Sequence, residues 1–253
     1  MMNRQMKDLF LMDDGEIYAE AQRRIRECRE KGGKNLDFSC LRLTKIPPEI
    51  AELETLAELD ICDIEMKKIP AFIGNITSLE KLSLGSGFSY RDEHEDITLP
   101  SQLGKLVNLR NLSLGYGIPG IPKWVFGLEN LEALSVYNDA IETIPAEIAG
   151  MKKLRKLRVY GDNITSLPYE IGEQLDLIVL DLKCPELQAL PESFAKLKKM
   201  ICIRLDSNNL FSVPGFICGW TNLEELEISM AFHDLHTTSK TIPENIGNLR
   251  KLR

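Results

Sequence analysis

The sequence is short of the groups that most enzymes use. It carries only three histidines, His94, His233 and His236. It has no H-E-x-x-H, C-x-x-C, G-x-S-x-G or G-x-x-x-x-G-K-[ST] pattern, so the usual metalloprotease, dithiol, serine-hydrolase and P-loop arrangements lack their residues at the required spacing. The six cysteines (Cys28, Cys40, Cys62, Cys184, Cys202 and Cys218) are scattered and form no flanking cluster; they read as reduced thiols. Positive charge is also in deficit. A net charge of −7 leaves no broad basic footprint for nucleic acid or an anionic membrane.

Long apolar runs are missing too. Nothing approaches the roughly 20 residues that cross a bilayer. The opening MMNRQMKDLFLMDDGE has neither a 7–15-residue apolar core nor a small-residue cleavage site, so no secretory signal is read there. The expected compartment is the cytoplasm, and the N-x-[ST] sequons at Asn75, Asn111 and Asn163 are expected to stay bare. What remains is ordinary for a folded protein: 43% hydrophobic and 27% charged residues, enough to build a core.

What the chain does have is a repeat. Leucine-like residues open successive segments at Leu56, Leu79, Leu109, Leu131, Leu154, Leu177, Met200, Leu223 and Leu252, with spacings of 23, 30, 22, 23, 23, 23, 23 and 29. Each segment reads L-x-x-L-x-L, a variable turn, then an aliphatic-Pro step at Pro47, Pro70, Pro100, Pro122, Pro145, Pro168, Pro191, Pro214 and Pro243. Alternation L-x-L puts every second side chain on one face of a strand. The proline stops the extended run, and the following I-x-x-L spacing suits one helical or 3-10 turn. A single coil cannot bury its leucines, but stacked coils can, at roughly 1.5–3 kcal/mol per buried aliphatic side chain. The expectation is an α/β solenoid with a parallel sheet on one side.

These segments resemble the leucine-rich repeat family in its 23-residue LPxxIGxL variety, as LRKLRVYGDNITSLPYEIGEQ shows. The resemblance covers residues 34–253 and implies a right-handed horseshoe. Its parallel sheet would be concave, with short helical or 3-10 turns on the convex side. The family usually places Asn at the ninth position of each unit. Here Asn208 sits there, Asp139 and Asp162 replace it twice, and Ile64, Gly117 and Pro185 offer no equivalent side chain.

Residues 1–35 read as an N-terminal segment with a capping helix, and 36–253 as about nine repeats ending at the start of a tenth. The helix is expected over 13–33. Asp13 and Glu16 form a D-x-x-E start, Ile17, Ala21, Ile25 and Cys28 share one face, Gly32-Gly33 ends it, and Glu20/Arg24 and Glu27/Lys31 pair along the wet side. The entry resembles that of bacterial Roco-type arrays, whose GTPase module has no counterpart here. At the other end the chain stops just after Leu252, which suggests a fragment of a longer product. Two units are long by 7 and 6 residues, with insertions around 85–97 and 229–241. These should form surface loops on one rim, carrying Phe88, Tyr90 and Arg91 in the first and Phe232, His233 and His236 in the second.

GYGIPG (Gly115, Gly117, Gly120) matches a dinucleotide fingerprint, with Asp139 downstream. Pro119 and Pro122 forbid the long helix that would receive a pyrophosphate, so a repeat turn is expected instead. The pair His233/His236 with Asp234 is too small a set for a metal site. No catalytic residue, cofactor or metal is assigned.

The outward strand positions form columns. One runs Asp37, Asp60, Ser83, Ser113, Ser135, Arg158, Asp181, Arg204, Glu227, and the next includes Tyr137, Tyr160 and Lys183. With Tyr116 one position further in its own unit, three tyrosines of consecutive units are expected to converge as exposed aromatics beside Lys156, Arg158, Lys183 and Arg204. Tyr and Arg are favoured docking residues. The sequence therefore points to a non-catalytic intracellular scaffold, acting as a monomer, that binds a protein or peptide partner and neither nucleic acid nor membrane. Two rival readings are a recognition fragment of a larger signalling enzyme or effector (a GTPase or ubiquitin-ligase-like protein) and a secreted receptor or adhesin.

Overall fold

The computed structural model describes residues 12–62, 65–85, 96–207, 209–210, 212–229 and 242–253. The chain divides into two units, Met1–Asn130 and Leu131–Arg253.

The first unit opens with helix α1, Asp14–Glu30. Its start is the capping box foreseen from sequence: the Glu16 amide donates to Asp13 at 2.9 Å, and the Asp13 amide donates back to Glu16 at 3.0 Å. Two orphan N–H groups are satisfied by two side chains. Ile17, Ala21, Ile25 and Cys28 are the buried face. Gly32 turns the chain out at φ +58, a conformation only glycine adopts freely. The helix then leans on the first coil: Arg24 donates to the Asp37 carbonyl at 2.7 Å, Gln22 to Glu49 at 3.1 Å, and Arg29 to Glu52 at 2.7 Å.

Four parallel strands follow in this unit: β1 (Asn35–Asp37), β2 (Glu58–Cys62), β3 (Lys81–Gly85) and β4 (Asn111–Leu114). Equivalent residues face each other, Leu36 with Leu59, Leu59 with Leu82, Leu82 with Leu112. The second unit holds β5 (Ala133–Tyr137), β6 (Lys156–Tyr160), β7 (Val179–Lys183), β8 (Cys202–Asp206) and β9 (Glu225–Ser229), again parallel and paired in chain order. Alternation does what the sequence requires: in β5 the even-numbered side chains Leu134 and Val136 are buried and their neighbours half-exposed.

Each of the nine repeat prolines precedes a five-residue 3-10 turn. Pro168, at φ −69 and ψ 144, is followed by Tyr169–Glu173. Its carbonyl accepts the Ile171 amide at 3.2 Å, and the same bond recurs after Pro47, Pro70, Pro100, Pro122, Pro145, Pro191, Pro214 and Pro243. The aliphatic or aromatic residue three places on (Ile50, Ile73, Leu103, Val125, Ile148, Ile171, Phe194, Ile217) is fully buried. With the opening leucines, these side chains make the core within each unit. Near the second insertion the burial fades: Leu226 and Ile228 of β9 are only half-buried.

The polar ladder does not lie where the family pattern suggests. Asn138, Cys184 and Ser207, one residue before the ninth position, are the buried ones. Ser207 donates to the Leu187 carbonyl at 2.7 Å, and Asn138 accepts the Ala140 amide at 2.7 Å. Asn208 and Ile64 fall outside the described residues. A second ladder escaped the sequence reading: Asn108, Asn130 and Asn222, each just before an opening leucine, donate to carbonyls of the preceding coil (Thr77, Val107 and Lys198) at 2.8–3.2 Å.

Candidate functional site

The outer side of strands β5–β9 carries the predicted columns in the predicted register. Tyr137 faces Tyr160, Tyr160 faces Lys183, and Lys183 faces Asp206; beside them run Ser135, Arg158, Asp181, Arg204 and Glu227. These residues lie on strand, not loop, because the L-x-L alternation that buries Leu157 and Val159 forces Lys156, Arg158 and Tyr160 to the opposite face.

The tyrosines are not freestanding. Tyr137 and Tyr160 meet edge to face, with centroids 5.0 Å apart and planes at 84°, the arrangement that ring quadrupoles favour. The Tyr160 hydroxyl donates to Asp181 at 3.2 Å. Both rings are half-buried where exposed aromatics are expected from sequence, since each ring covers part of the other. Burial, then the neighbouring Asp181 carboxylate, pushes the Tyr160 phenol above its usual range. Asp181, a member of the first outward column, is also the anchor of this ring, and Arg158 reaches it at 3.5 Å.

Arg204 is tied up, with Glu225 at 3.1 Å and Glu227 at 3.4 Å. Lys156 and Lys183 are exposed and have no side-chain hydrogen bond or ion pair among the described residues. Tyr116 is half-buried in the first unit, just beyond β4. The structure thus joins Tyr137, Tyr160, Arg158 and Lys183 in one patch of the second unit. Phe88, Tyr90, Arg91, Phe232, His233 and His236 lie outside the described residues.

The dinucleotide-like glycines sit where the repeat reading put them. Gly117, at φ +85, turns the chain after β4, and the next helical element is the short 3-10 turn Lys123–Gly127. Among the described residues no three His, Cys, Asp or Glu side chains group to hold a metal, and no helix is long and apolar enough to cross a membrane. Cys28, Cys184, Cys202 and Cys218 are buried outside any disulfide. Burial drives the Cys184 thiol up to about 12, and burial with the Glu225 carboxylate drives Cys202 to about 11. Neither thiol is primed as a nucleophile, since the thiolate is the reactive form.

Sequence comparison with curated proteins finds no match. Residues 153–253 match the family model described as a leucine-rich repeat region. Among solved structures, a leucine-rich repeat protein of Leptospira interrogans superposes with a TM-score of 0.66 at 25% identity; the match covers 87% of this chain and 59% of that one. The leucine-rich repeat domain of the type III effector XopL gives 0.72 at 22% identity, over 97% and 84%. The ectodomain of the Arabidopsis receptor kinase HAESA, solved with a peptide hormone ligand, gives 0.52 at 25% identity, over 73% and 31%. Residues 153–253 thus match a leucine-rich repeat region by sequence, and the repeat, the parallel strands with 3-10 turns and these likenesses give the chain the leucine-rich repeat fold.

Proposed function

We propose that the chain is a non-catalytic interaction module whose β5–β7 face docks a protein or peptide partner. The observation that carries this reading is the tyrosine pair. Two aromatic rings held edge to face, one pinned by Asp181, form a rigid amphipathic surface that costs little conformational entropy to occupy. Lys183 beside it offers an uncommitted charge. A peptide-bound relative supports the same use of the fold, since the HAESA ectodomain carries a peptide hormone ligand. The compartment we propose is the cytoplasm, in keeping with the buried thiols of Cys28, Cys184, Cys202 and Cys218, which lie outside any disulfide.

The test is affinity capture from native cells with wild type and with Tyr137→Ala/Tyr160→Ala, followed by titration of the recovered partner. The reading predicts a loss of about tenfold or more in affinity, because aromatic anchors dominate interfaces. Unchanged affinity rejects the site.

A further inference from the structure

A different surface of the second unit stands out where the chain enters its strands. There the backbone forms a row with one residue per coil. The Arg155 amide donates to Glu132, Ile178 to Arg155, Ile201 to Ile178 and Glu224 to Ile201, each at 2.8 Å. Charged side chains occupy this row at Glu132, Arg155 and Glu224, whereas Ile178 and Ile201 interrupt it with two adjacent aliphatics. Ile201 is 38% exposed, and Leu175, three residues before Ile178, is 54% exposed. The 23-residue period sets Leu175 between Lys152 and Lys198 in the neighbouring coils. A shallow cavity of about 330 Å³ lies here, with Arg155, Asp176 and Ile178 in its wall.

The charges around these aliphatics are unevenly committed. Asp176 is paired with Lys199, Glu173 with Lys196 at 2.6 Å, and Glu224 with Arg253 at 3.5 Å; Glu132 also has a partner. Lys152, Arg155 and Lys198 form no side-chain hydrogen bond or ion pair among the described residues, and Lys152 and Arg155 act on Glu173 and Asp176 only through space. The local surplus is positive in a chain whose net charge is −7. Aliphatics left partly exposed beside cations that no ion pair holds are unfavourable to leave bare and are complementary to acids spaced by aliphatics. A uniformly anionic membrane fits less well, because the carboxylates of Glu132, Asp176 and Glu224 lie within the same surface.

We propose that this rim is a second docking surface. It takes an acidic segment of a protein partner, with aliphatic side chains resting on Leu175, Ile178 and Ile201 and carboxylates meeting Lys152, Arg155 and Lys198. It shares no side chain with the tyrosine patch, so either surface can fail without the other.

The experiment is selection from a phage-displayed library of random linear peptides, followed by titration of the enriched peptides against purified variants. Wild type should enrich peptides that combine Asp or Glu with Leu, Ile or Val, and their affinity should fall as salt rises. Arg155→Glu/Lys198→Glu should weaken them about tenfold or more, and Leu175→Ser/Ile201→Ser should weaken them several-fold. Both variants should melt near wild type because the altered side chains are exposed. Tyr137→Ala/Tyr160→Ala should leave binding unchanged. The proposal is overturned by no enrichment, by a consensus without acids, or by binding indifferent to the rim variants. It is equally overturned if the rim instead mediates sedimentation with phosphatidylcholine–phosphatidylserine vesicles while no acidic peptide is selected.

Discussion

Gly172 and Ser193 meet so closely across neighbouring coils that a Cβ on Gly172 would lie 2.4 Å from the Ser193 Cβ and 2.5 Å from its carbonyl oxygen. Glycine here sets the spacing of the stack, and Ser193 answers by donating its hydroxyl to the Tyr169 carbonyl at 2.6 Å. Gly172→Ala should destabilise the second unit by roughly 1–3 kcal/mol through overpacking. Gly215→Ala, where an added Cβ meets nothing within 4 Å, should be neutral or slightly stabilising. Urea titrations of the two variants check this, and equal midpoints would contradict it.

Gln174 occupies a position held elsewhere by Leu53, Leu106, Met151 and Leu197. Its amide donates to the Ile148 carbonyl at 2.7 Å, yet Oε1 is buried with no partner among the described residues. The Ile148 carbonyl already accepts the Met151 amide at 3.0 Å. Gln174→Leu therefore removes an unsatisfied acceptor without orphaning the carbonyl, and should leave the melting temperature unchanged or raise it. Gln174→Ala, which opens a cavity as well, should lower it. Scanning calorimetry separates the two.

How much of this was readable beforehand depends on the kind of residue. The prolines and opening leucines announce the coils because backbone restriction and burial act at fixed spacing. The α1 cap was equally legible, since Asp13 and Glu16 act within one turn. The ladder at Asn108, Asn130 and Asn222 lies off the ninth position, where the family pattern places its asparagine. The amide recurs instead just ahead of the opening leucine, a signal visible only when units are aligned there. Tyr137 and Tyr160 were placed correctly by register, but their edge-to-face contact and the Asp181 anchor depend on rotamers that spacing does not determine.

Thiol chemistry offers a third prediction. Cys184 is buried, with its thiol pushed up to about 12, and Cys202 to about 11, so both should resist a disulfide reagent at pH 8. Cys40 and Cys62 are half-exposed and should react first. Peptide mapping after a short exposure should find label there and not at Cys184 or Cys202. Rapid labelling of Cys184 would mean that the second unit opens readily.

Glu20 carries the clearest pH dependence. Hydrogen bonds from Arg23 hold its carboxyl at about 2, with Arg24 assisting at 2.9 Å. A lowered folded-state value gives stability that is present above the unfolded carboxylate range, near 4.3, and is lost as pH falls toward 2. Because Arg23, the main partner, is half-exposed to solvent, Glu20→Gln should cost only about 0–1 kcal/mol at pH 7. Melting curves of wild type and variant should converge by pH 2, and a constant gap would refute the assignment.

The central claim is that the sheet face of the second unit is a docking surface built on a rigid aromatic pair. Its most direct measurement is isothermal titration of the captured partner against wild type, Tyr137→Ala/Tyr160→Ala and Arg155→Glu/Lys198→Glu, with melting temperature recorded for each. The account predicts an affinity loss of about tenfold or more in the tyrosine variant alongside a near-native melting temperature. Full affinity in that variant, or a loss that only follows unfolding, would contradict it.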